Sequence, residues 1–119
     1  MSESVVQLHL RERVDENEAA ILAIFDRLGP DPGAKLVTRA VGELAIAVTV
    51  MAAQVDRHEL GSLPRSLKRM EALAAGVGMV SLALVASDAR EVLLRGDATA
   101  FSAVWARLMR VAEQSLVRA

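Results

Sequence analysis

Hydrophobic positions recur at helical spacing along almost the whole chain. Val37, Val41, Leu44, Val48, Met51 and Val55 follow alternating steps of four and three, the seam of a helix over about 32–55. Ile46 and Val50 lie off that seam and are also apolar. This helix is therefore expected to be covered on more than one side, by its neighbours or by a second copy. Upstream, Ile21, Leu22, Phe25 and Leu28 form one face of a helix opened by Asp15-Glu16-Asn17-Glu18. There Asp15 can cap and Glu18 follows three residues later, as in a capping box. Downstream, Leu67, Met70, Leu73, Ala74 and Val77 mark a third helix, and Leu82, Val85, Ala86, Ala89 and Leu93 a fourth over about 80–95. Phe101, Val104, Trp105, Leu108, Val111 and Leu116 mark a fifth.

The breaks between these segments carry their own chemistry. GPDPG (29–33) ends the first helix, and Pro32 can begin the next. In DRHELGSLP (56–64), Ser62 suits an N-cap and Pro64 the first turn that follows. Gly76 and Gly78 weaken the third helix, so a bend or break is expected near Gly78. In Arg95-Gly96-Asp97, Gly96 suits the left-handed residue after a helix and Asp97 the cap of the next. Short connections favour antiparallel neighbours. The expected fold is all-α: an antiparallel up-and-down four-helix bundle with an extra N-terminal helix, over residues 15–117. Residues 1–14 form a leader in which Val6, Leu10 and Val14 recur at spacing four, fit to dock on the bundle or on a second copy.

Composition narrows the function. At 119 residues the chain fits one domain, and 53% hydrophobic content argues against disorder. A net charge of −1 gives no basic field for nucleic acid. With no cysteine there is no disulfide and no thiolate metal site, which suits a reducing cytoplasm. The first residues, MSESVVQLHLRERVDENE, have early acids and no apolar core of signal length, so a cytoplasmic protein is expected. The uncharged run from Ala72 to Ser87 contains Gly76, Gly78 and Ser81. It falls short of the ~20 apolar residues of a spanning helix and reads as a buried soluble helix, with no membrane partner.

Candidate chemistry is sparse. The two histidines are His9 and His58, and neither follows a glutamate at the three-residue spacing of di-metal bundles. There is no phosphate loop, zinc motif or nucleophile elbow, so neither a metal nor a cofactor is expected. His58 reads as a solvated loop residue beside Arg57 and Glu59, needing a partner for proton transfer. Asp15, Glu16 and Glu18 sit where helix starts favour acids. Met51, Met70, Met79 and Trp105 read as core. Arg65, Lys68 and Arg69 share a face at the start of the third helix, preceded by Arg57. They form either a solvated face, with Glu71 paired to Lys68, or a docking patch for an acidic partner or a phosphoryl group.

The stretch LKRMEALAAGVGM (67–79) resembles the histidine-containing phosphotransfer (HPt) domain. That family's signature is a small residue, the phospho-accepting His, two residues, Lys-Gly, a run of small residues, and a Gly ten positions after the His. Ungapped, Lys68 falls on the His, Glu71 on the Lys and Ala72 on the first Gly. Ala74, Ala75, Gly76 and Val77 match the small run, and Gly78 falls on the later Gly. VDENEAAILAIFDRLG resembles the family's first helix, and Leu82 to Asp97 its fourth helix and following turn. A second register places Arg65 on the His, Lys68 on the Lys and Arg69 on the Gly.

Either register lacks the nucleophile. An HPt histidine attacks an aspartyl phosphate through a neutral imidazole nitrogen, whereas lysine and arginine are ordinarily protonated at neutral pH. The resemblance therefore implies a non-catalytic module that docks a response-regulator receiver or a histidine kinase without phosphoryl transfer. Its surface would be Arg57, Arg65, Lys68, Arg69 and Glu71, with Ala72, Ala75, Gly76 and Gly78 as the motif's small residues. Two alternatives stand beside it: a helical homodimer or adaptor unrelated to the relay, and a phosphotransferase that uses His58.

Overall fold

The computed structural model describes residues 16–118, and the expected leader and Asp15 cap lie outside them. The regular structure is helical throughout: α1 (Glu18–Leu28), α2 (Pro30–Asp56), α3 (Leu63–Gly76), α4 (Val80–Leu94) and α5 (Ala98–Arg118).

α1 opens on Asn17, whose side-chain oxygen accepts the Ala19 N–H at 3.1 Å. Glu18 is thus the first helical residue rather than the far half of a capping box. Ile24 is buried and Ile21 and Phe25 half-buried, whereas Leu22 is 65% exposed and Leu28 is also exposed. The expected stripe of Ile21, Leu22, Phe25 and Leu28 is corrected to Ile21, Ile24 and Phe25. α1 packs chiefly on a single neighbour, α2, which covers a narrower arc than a core helix needs.

The GPDPG break contracts to one residue, Gly29, because α2 begins at Pro30 rather than near 32. Pro30 takes the first helical position, where a missing N–H is no loss, and Pro32 still falls in the first turn. α2 has 27 residues, a rod of about 40 Å. Its seam is as expected: Leu44 and Met51 are buried, and Val37, Val41, Val48 and Val55 are half-buried. By length and composition α2 is apolar enough to cross a membrane, with a mean hydropathy of 1.7, yet only 17% of that window is buried. Leu36, Ile46 and Val50 are the exposed large apolar side chains of α2, and Leu84 of the 72–87 run is exposed as well.

α3 sends Leu63, Leu67, Met70 and Ala74 inward at steps of four, three and four. It stops at Gly76, so no continuous helix runs through the uncharged stretch. In the turn Val77-Gly78-Met79, Gly78 adopts φ +78, a region L-residues rarely occupy. Its carbonyl accepts the Asn17 N–H at 2.7 Å, and a β-carbon there would strike the Asn17 carbonyl. Gly78 thus joins the entry of α1 to the turn between α3 and α4.

α4 buries Leu82, Val85, Ala86 and Ala89, with Leu93 half-buried, and shares the most extensive interface of the molecule with α3. Gly96 takes φ +74, and the Asp97 carboxylate accepts the Ala100 N–H at 3.0 Å as the cap of α5. Phe101, Leu108, Val111 and Ala112 point inward, while Val104, Trp105 and Leu116 are half-buried. Each helix packs on the next, α5 also contacts α2, and the core cluster draws side chains from all five helices.

Candidate functional site

The inward register of α3 decides what its other side presents. With Leu63, Leu67, Met70 and Ala74 buried, residues 65, 68, 69, 72, 75 and 76 fall outside. All six are exposed: Arg65, Lys68 and Arg69 over the first turns, then Ala72, Ala75 and Gly76 toward the end. Three basic groups are thus followed along one helix face by a low strip of small side chains, where another backbone can approach closely.

The remaining residues of the expected surface lie elsewhere. Arg57 is the residue that ends α2, and its Nε lies 3.3 Å from Glu59 Oε1. Glu71 does not pair with Lys68. It is half-buried between α3 and α4, with Arg90 Nη2 at 3.3 Å from its Oε1. The pairing to Lys68 would have placed the lysine N-terminal to the glutamate, the weaker orientation along a helix. Gly78 is buried in the turn rather than part of the open strip. His58 is exposed in the α2–α3 connection. Ser62 does not cap α3 through its side chain; its hydroxyl instead accepts from Gln54 Nε2 at 3.2 Å.

Beside the basic group lies a feature that the motif alone did not reveal. A groove of about 340 Å³ runs between α2 and α3, floored by Ile46, Ala47, Val50, Met70 and Leu73. Ile46 is 66% exposed and Val50 50%, large values for such apolar side chains. Glu43 and Arg69 cross its edge, Oε2 to Nη2 at 3.5 Å. This exposed pair contributes little to stability, so Arg69 can exchange Glu43 for another carboxylate at small cost. The apolar positions off the α2 seam were the sequence signal of this groove. An apolar floor with a polar, charged rim is the anatomy of a protein-docking surface.

Among the described residues no group of three His, Asp or Glu side chains is placed to hold a metal ion. Comparison of the chain with known protein families, with characterised proteins and with solved structures found no significant match.

Proposed function

We propose that this chain is a non-catalytic, HPt-like docking module in which α2–α5 form an up-and-down four-helix bundle. Its partner is the receiver domain or histidine kinase of a two-component relay. Sequential packing with return of α5 to α2 supports the bundle. The observation that carries the docking role is the α2–α3 surface: an apolar groove rimmed by Arg69, with Arg65 and Lys68 exposed on the outer face of the same helix. Lys68 stands where the resemblance places the phospho-accepting His, and the strip Ala72, Ala75, Gly76 continues from it. A receiver's phospho-accepting pocket is acidic, and a cluster of cations on an exposed helix complements it without supplying a nucleophile.

Titration against the receiver domains of the same genome tests this reading. Wild type binds at least one of them, and Lys68→Glu weakens that binding about tenfold or more, the worth of one charge-assisted hydrogen bond. Undiminished affinity in Lys68→Glu, or no binding to any receiver or kinase, refutes it.

A second reading, a homodimer built on α2, is favoured by the same exposed Ile46 and Val50. The two readings separate cleanly. In a dimer Ile46→Asp gives a folded monomer by light scattering while Lys68→Glu leaves the dimer intact. A wild type that stays monomeric when concentrated removes the dimer.

A further inference from the structure

A second cavity lies apart from the α2–α3 groove. It measures about 470 Å³, within the size range of small-molecule sites. It lies between the end of α2, the loop to α3 and the start of α5. Its apolar part comes from Leu60, Leu93 and the rings of Phe101 and Trp105, which stack at 5.9 Å with their planes 22° apart. Its polar part comes from the chain breaks: His58 after α2 and Asp97 before α5. Phe101 and Trp105 follow Asp97 at one and two helical turns, so an aromatic shelf leads away from a carboxylate.

His58 occupies an unusual position. It adopts φ +58, the one non-glycine residue with positive φ among those described. The Glu59 N–H bonds the Gln54 carbonyl at 2.8 Å and the His58 N–H the Val55 carbonyl at 3.1 Å, the double closure that normally ends on glycine. Histidine here gives up stability that glycine would supply. What the imidazole gains in return is a place on the wall of the cavity.

We propose that this cavity binds a flat aromatic molecule carrying one hydrogen-bond-donor head, an ammonium or a hydroxyl. The shelf of Phe101 and Trp105 holds the ring, and aromatic faces also attract a cation. Asp97 uses one carboxylate oxygen on the Ala100 N–H, which leaves the other to accept from a ligand. Among the described residues no lysine or arginine lines the cavity, so an anionic head would meet Asp97 without a counter-charge there. His58 supplies a ring nitrogen to a hydroxyl or a second face to the ring.

Trp105 is the only tryptophan of the chain, so its emission reads this cavity directly. The probes are phenethylamine, para-cresol and phenylpropionate, with amide chemical shifts as a second readout. Phenethylamine and para-cresol should give saturable changes, and phenylpropionate should bind about tenfold more weakly or not at all. Asp97→Asn keeps the helix cap, since asparagine caps as well as aspartate, and should weaken phenethylamine binding about tenfold. No saturable response to either donor at millimolar concentration overturns the proposal. So does phenylpropionate binding as well as phenethylamine, or Asp97→Asn binding phenethylamine as wild type does.

Discussion

Gly78→Ala separates two contributions that one turn combines. Alanine at φ +78 carries the penalty of a left-handed L-residue, about 1–2 kcal/mol. Its β-carbon also meets the Asn17 carbonyl, so the chain entering α1 must shift and the Asn17–Gly78 hydrogen bond is lost, about 1 kcal/mol more. The sum is about 2–4 kcal/mol with the clash included, a fall in melting temperature of roughly 8–16 °C for a domain of this size. Gly96→Ala is the control. Gly96 has nearly the same φ, +74, but nothing lies within 4 Å of a β-carbon there. Only the backbone penalty applies, about 1–2 kcal/mol or roughly 4–8 °C. The gain from a stiffer unfolded chain is common to both variants and cancels in the comparison. Urea and thermal denaturation followed by circular dichroism measure the difference, and hydrogen exchange of the α1 amides shows whether α1 comes loose. Equal destabilisation by the two variants would refute the idea that Gly78 fastens α1 to the α3–α4 turn.

Other variants probe the end of α2 and its two sides. His58→Gly relieves a left-handed histidine and is expected to raise stability by about 0.5–1 kcal/mol; a lower melting temperature would contradict the proposed strain. Leu44→Ala removes a fully buried side chain and should cost about 2–5 kcal/mol in urea denaturation. Ile46→Ala, on the exposed side of the same helix, should stay within about 0.5 kcal/mol. Similar losses at both positions would show that Ile46 is covered in solution.

Helix ends were readable where they depend on local chemistry. Gly96 and Asp97 close α4 and open α5 through a left-handed backbone and a capping carboxylate, interactions that span only a few residues. The break at Gly78 was readable for the same reason, although its bond to Asn17 was not, since that contact joins segments far apart in the chain. Burial is legible where two neighbours cover a broad arc of a helix, as in α3, whose outer face carries Arg65, Lys68 and Arg69. It was misread in α1, because the arc of a helix that packs on one neighbour depends on where that neighbour lies. Residues 21, 22, 25 and 28 and residues 21, 24 and 25 are equally good stripes until α2 is placed. The partner of Glu71 was illegible in a stronger sense. Periodicity ranks Lys68 first, but a side chain from α4 reaches Glu71 from outside its own helix. The α2–α3 groove was visible only as excess apolarity at Ile46 and Val50, with no way to tell which neighbour would leave it open.

The α3–α4 hairpin has a consequence for the motions of this protein. Leu63, Leu67, Met70, Ala74, Leu82, Val85, Ala86 and Ala89 are all fully or nearly fully buried in it, and its connection is a three-residue turn. Such a unit is expected to open last, close to the free energy of global unfolding, whereas α1, held chiefly by α2, is expected to open early. The basic face of α3 is therefore expected to ride on the slowest-exchanging amides among the described residues. A partner that docks there meets side chains on an already ordered backbone and loses little conformational entropy on binding. Recognition at this face is expected to proceed close to rigid-body docking, with the protection of the α3 amides nearly the same before and after.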